Sequence, residues 1–148
     1  MNTDIKLMIT LAGKQRLPHL EADIFADYEL TCFYLTVLCR DLGQYDSLDT
    51  KNDCAWAAYR YAGDVLKGRW LEAEAMISSD AQFAYFYAKV VIKGRWPEAE
   101  AVIASDAHWI LRYTEFVIKG RWPEAEAVIA TDSFYWNRYI AILSELTK

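Results

Sequence analysis

The chain carries little with which to do covalent chemistry. Its 148 residues include two histidines, His19 and His108, and three cysteines, Cys32, Cys39 and Cys54. Neither histidine stands at ligand spacing from a cysteine, so no metal site is expected. Three cysteines without regular spacing are not a disulfide framework. Cys32 and Cys39 are seven apart, and are expected to share a helix face as small buried apolar groups. A glycine-rich phosphate loop and a nucleophile elbow are both missing, so the reading is of a non-enzyme without a cofactor. No apolar run reaches membrane-spanning length. The first residues, MNTDIKLMITLAGKQR, place an acid before a very short apolar run and offer no small-residue cleavage site, unlike a signal peptide. A reduced cytoplasmic setting is expected. Net charge is −5. That deficit of cations disfavours nucleic acid as a partner, because such binding rests on neutralising phosphates.

What the chain has in quantity is apolar and aromatic surface. Hydrophobic residues make up 54%, and six Trp and ten Tyr bring the aromatic share to 15%. Such a composition excludes a disordered chain and suits one domain, 1–148. The phrase Lys-Gly-Arg-Trp occurs at Lys67, Lys93 and Lys119, 26 residues apart. Its three copies lead into LEAEAMISSD, PEAEAVIASD and PEAEAVIATD. A fixed period of this size marks stacked supersecondary units.

Each copy reads as a helical hairpin. In the copy 93–118, Pro97 opens a helix A at the position where a missing N–H costs nothing. Glu98 and Glu100 come next in the first turn, where the helix dipole favours negative charge. Trp96, Ala99, Val102 and Ile103 form its apolar stripe. Asp106 is placed to cap helix B, as Asp80 and Asp132 are in their copies. Gly120 is expected to supply the left-handed residue that ends helix B. An invariant tyrosine stands in every helix B: Tyr87, Tyr113 and Tyr139. Phe83, Trp109 and Tyr135 precede it by four, and Val90, Phe116 and Ile142 come three after it. These are expected to form the buried stripe. Glu74, Glu100 and Glu126, beside the apolar stripe, call for partners, and Arg69, Arg95 and Arg121 or their neighbours in the next copy are the natural ones. Three occurrences of the pair favour a role in repeat register over catalysis.

Before residue 67 the pattern erodes. Aligning Leu66 with Ile92 makes 54–66 a helix B with Tyr61 on the invariant position. Gly43-Gln44-Tyr45 echoes Gly-Arg-Trp, with a degenerate helix A in DSLDTKN. Earlier, Gly13-Lys14-Gln15-Arg16-Leu17-Pro18 echoes Gly-Arg-Trp-Pro, LEADIFAD echoes AEAVIATD, and Asp27 would cap the next helix. The domain therefore reads as degenerate repeats and a leading helix over 1–66, three regular repeats over 67–144, and an end at 145–148. Polar Ser144, Glu145, Thr147 and Lys148 look like a cap. The fold class is all-α, an α-solenoid of short hairpins.

The units GRWPEAEAVIA…D resemble short tandem repeats of bacteriophage and large-DNA-virus proteins. The match is specific over 67–144 and departs at Leu71, where the pattern has Pro. In layout the units are also similar to tetratricopeptide and Sel1-like helix pairs, though shorter. The resemblance implies a helical-repeat fold and a viral origin, and brings no catalytic residues.

Positions that change between copies are free to bind. In helix B they are Gln82, Tyr85, Phe86 and Lys89; His108, Leu111, Arg112 and Glu115; Phe134, Asn137, Arg138 and Ala141. Their i, i+3, i+4, i+7 spacing puts them on one face of each helix. The eroded copy adds Trp56, Tyr59 and Arg60. Aromatics and arginine on one face are the residue types of interface hot spots. The expected function is a protein-binding module, a viral protein that inhibits or redirects a host protein in the host cytoplasm. The alternative is a self-associating structural virion component.

Overall fold

The computed structural model describes residues 2–40 and 51–148. Every regular element among these residues is helical, as the sequence predicts, and no strand occurs among them. None of these helices is long and apolar enough to cross a membrane. The chain divides into two compact units, Met1–Ile77 and Ser78–Lys148, with the division inside the first regular copy.

The first unit holds α1 (Asn2–Ala12), α2 (Glu21–Ala26), α3 (Tyr28–Leu38), α4 (Lys51–Tyr61) and α5 (Glu74–Ile77). The leading helix and the echo around residues 13–27 are both present as α1 and α2. Asp27 caps α3 by accepting from the Leu30 amide at 2.9 Å, as the sequence predicts. The expected Gly43-Gln44-Tyr45 link, and the helix A before Lys51, lie outside the described residues. Where the regular pattern has proline, Leu71 opens a 3₁₀ turn, Leu71–Ala73, and α5 runs only one turn. Proline at N1 presets the helical φ, and here that preset is missing.

The second unit holds α6 (Ala81–Tyr87), α7 (Pro97–Ile103), α8 (Ala107–Tyr113), α9 (Pro123–Ile129) and α10 (Ser133–Leu146). Asp80, Asp106 and Asp132 cap α6, α8 and α10, accepting from the amides of Phe83, His108 and Phe134. α6 packs on α7 and α8; α8 packs on α9 and α10.

Two sequence expectations about helix B fail. After the invariant tyrosine the helix widens into a π turn, at Ala88–Ile92 and Thr114–Ile118, as it does at Ala62–Leu66 in the first unit. A π turn closes i→i+5 bonds, so it holds more residues per turn and shifts the phase of the residues beyond it. The expected stripe is out of phase on both sides of the tyrosine: Phe83, Trp109 and Tyr135 before it are only half-buried, and so is Ile142 in α10, which has no π turn. Val90 is 45% and Phe116 38% exposed. The buried line instead comprises Ala84, Tyr87 and Ala88, or Ile110, Tyr113 and Thr114. The same π turn moves the left-handed residue one position earlier than expected. Lys67, Lys93 and Lys119 have φ of 54°, 62° and 57°, while the glycine after each does not. In the second copy the amides of both Lys93 and Gly94 converge on the Ala88 carbonyl, at 2.7 and 3.2 Å. A left-handed conformation costs a non-glycine residue about 1–2 kcal/mol, and the chain carries that strain in each link.

The second and third copies are each tied by one polar knot. Arg95 forks onto Glu100 with bonds of 2.8 and 2.9 Å. Tyr113 donates to Glu100 Oε1 at 2.9 Å, and its oxygen accepts from the Trp96 amide at 2.7 Å. Arg121, Glu126, Tyr139 and the Trp122 amide repeat the arrangement. The Arg–Glu pair thus closes within a copy, fixing the link to helices A and B. Contact from copy to copy falls to the tyrosine ring. Tyr87 meets Trp96, and Tyr113 meets Trp122, each at 4.9 Å between centroids. Trp96 and Trp122 are buried, as expected of the scaffold tryptophans.

Candidate functional site

Five of the varying positions, Tyr85, Phe86, Lys89, His108 and Arg112, line an open depression between α6 and α8, about 300 Å³ in volume. Tyr85, Phe86 and Lys89 line one wall; His108, Trp109, Arg112 and Phe116 line the other. The rings form a continuous cluster. Tyr85 lies 5.0 Å from Phe86 and 5.5 Å from Trp109, and His108 meets Trp109 edge-on at 4.7 Å. Two cations cross it. Lys89 Nζ is 4.5 Å from the Phe116 centroid, and the Arg112 guanidinium 5.9 Å from it. A cation over an aromatic face contributes about 0.5–1 kcal/mol at such exposed sites. The surface can therefore offer π faces and fixed positive charge together, which suits a partner bearing an apolar anchor beside a carboxylate.

The sequence reading missed Trp109 and Phe116 here, having assigned both to the buried stripe. Trp109 is half-buried, so it serves the packing with one edge and the depression with the other. Phe116 lies in the π turn and lines the depression from there. No residue spacing signals that.

Two expected face residues are not open. Tyr85 is only 3% and Leu111 only 8% exposed. Tyr85 wedges between α6 and α8 against Trp109, and burial raises its hydroxyl above the usual range. Leu111 holds the same position one copy on, where α8 packs against α10. Glu115 and Arg138 line a second, smaller depression of about 220 Å³ with Ala141, Ile142, Glu145 and Leu146. Gln82, Phe134 and Asn137 are exposed and border neither depression.

Trp56, Tyr59 and Arg60 belong to the first unit and are half-buried on α4. Arg60 pairs with Asp64 at 2.7 Å and its guanidinium lies 5.4 Å from the Trp56 ring. Burial raises the Tyr59 hydroxyl.

The first unit also holds a version of the polar knot that the sequence did not reveal as special. Glu21 is 0% exposed. It accepts both prongs of Arg16 at 2.9 and 2.7 Å, the Tyr34 hydroxyl at 2.7 Å, and the Trp70 indole at 2.8 Å. Burial pushes its carboxyl up, but the bonds from Arg16, Trp70 and Tyr34 outweigh this and leave it below the ordinary value. Every oxygen lone pair is engaged inside the protein, so the site is structural. Among the described residues, no group of three or more His, Cys, Asp or Glu could hold a metal ion.

No family model, curated protein or solved structure matches the chain.

Proposed function

We propose that the protein is a non-enzymatic protein-binding module, built as an α-solenoid of hairpins at the 26-residue period, whose varying helix-B face takes a protein partner. One observation carries this reading. The depression between α6 and α8 is lined by residues that change between copies, while the knot and the stacked Trp and Tyr stay constant. Constant scaffold with variable, aromatic and cationic surface is the pattern of repeat proteins that bind other proteins. Sequential packing of α6, α7, α8, α9 and α10 supports the stacked layout. The resemblance of the units to tandem repeats of bacteriophage and large-DNA-virus proteins favours a viral protein acting on a host protein in the host cytoplasm.

Self-association as a virion component is the second reading, favoured by Leu7, Met8 and Leu11, which are exposed together on α1. Sedimentation of the purified chain separates the two, since a monomer at high concentration removes the second. For the first, Phe86→Ala combined with Arg112→Ala is the test. Tagged wild-type protein retains a host protein from lysate and the double variant, still helical by circular dichroism, loses it. Unchanged retention moves the site off this depression.

A further inference from the structure

All three cysteines of the chain gather between α3 and α4, and they are not equivalent. Cys32 Sγ and Cys54 Sγ approach to 2.8 Å across the two helices. Cys39 Sγ instead turns to the Ala57 carbonyl at 3.6 Å. Cys32 and Cys39, paired by sequence spacing, thus do different things. Cys32 is half-buried, while Cys39 and Cys54 are buried. A disulfide holds its sulfurs at about 2.05 Å, so the two stand ~0.8 Å beyond bonding distance.

We propose that Cys32 and Cys54 are a reversible redox pair, which a low-molecular-weight disulfide such as oxidised glutathione converts to a disulfide that staples α3 to α4. The half-buried Cys32 reacts first. Its thiolate attacks one sulfur of the reagent, releasing one equivalent of reduced thiol and leaving a mixed disulfide on Cys32. The Cys54 thiolate then attacks Cys32 Sγ and expels the second equivalent. Two protein thiols are oxidised and one reagent disulfide is reduced, with both protons taken up by the departing thiolates. Environment sets the two roles. Burial, with the Cys32 sulfur beside it, raises the Cys54 thiol far above its ordinary range, and burial pushes Cys39 up to about 12. Neither supplies much thiolate to an external reagent, because reactivity depends on thiolate and access. For Cys54 the proximity of its target compensates. The bond restricts the unfolded chain and so stabilises the first unit.

The reduced protein is incubated with oxidised glutathione, remaining thiols are blocked, and intact mass and peptide mapping are read. Support is the loss of two hydrogens, a peptide linking Cys32 to Cys54, and Cys39 alkylated once the protein is unfolded. The thermal midpoint rises and dithiothreitol returns it. Cys39→Ser retains the cross-link and the shift; Cys32→Ser and Cys54→Ser each lose both. Should the buried Cys54→Ser fail to fold, the half-buried Cys32→Ser carries the same comparison. A lasting glutathione adduct on Cys32, a cross-link containing Cys39, or three alkylatable thiols after oxidation overturns the proposal.

Discussion

The same knot of arginine, glutamate and tyrosine stands in both units, under opposite conditions. In the first unit Glu21 is sealed off and takes a fourth bond from the Trp70 indole. In the second, Glu100 keeps 15% of its side chain exposed, and the indole N–H groups of Trp96 and Trp122 are buried with no hydrogen-bond partner in the protein. The eroded sequence thus holds the more completely satisfied site. Erosion replaced the tryptophan of the link with Leu17 but kept the spacing of Arg16, Glu21 and Tyr34. What persists is the polar geometry; what varies is how much water it sees.

The largest expected effect breaks the Tyr–Trp stacking, which the first unit repeats between Tyr61 and Trp70 at 5.1 Å. Trp96→Ala removes the ring packed on Tyr87 and should cost about 3–5 kcal/mol in urea denaturation. Phenylalanine sharpens the contrast, because Trp70→Phe also strands a buried carboxylate bond while Trp96→Phe loses none. The excess should be about 1.5–3 kcal/mol, the value of a hydrogen bond to a charged group. Next comes Tyr113→Phe. It leaves the buried Trp96 amide unpaired, at about 1–3 kcal/mol, measurable as faster hydrogen exchange at that amide.

Acid provides a third probe. The Arg95 fork holds Glu100 below its ordinary value of 4.5, against desolvation, and Tyr113 assists. A carboxyl lowered in the folded state contributes stability that is complete above pH ~4.5 and is lost as the pH falls through the folded value. Glu100→Gln should flatten the acid limb of a midpoint-versus-pH curve.

The smallest effect is a gain. Lys93→Gly relieves left-handed strain and should stabilise by about 1 kcal/mol. Gly94→Ala, with nothing within 4 Å of the added carbon and no positive φ, should change the midpoint little. The reverse ranking would restore the glycine as the left-handed residue.

The helices, their aspartate caps, the Arg–Glu pairing and the buried tryptophans were legible because each arises from local spacing. The echo at residues 13–27 was legible for the same reason. The π turns were not, since one extra residue in a turn leaves no mark on composition. That omission misplaced the left-handed lysines, while the buried stripe was set one residue out of phase already at Phe83, Trp109 and Tyr135. The candidate depression was half legible. Its varying residues could be read by comparing copies, whereas the burial of Tyr85 and Leu111 depends on how neighbouring helices close. The Cys32–Cys54 approach joins residues on two helices and has no sequence signature.

Glu21→Gln set beside Glu100→Gln tests the contrast between the units most directly. Hydrogen exchange is measured at the Leu17 and Trp96 amides, each of which donates to the tyrosine oxygen of its own knot. Breaking a sealed ion pair costs about 3–5 kcal/mol, against about 1 kcal/mol for one open to water. Protection at Leu17 should therefore fall by the larger amount in Glu21→Gln, and protection at Trp96 by the smaller in Glu100→Gln. Equal losses at the two amides would contradict the account, since burial would then make no difference to the knot.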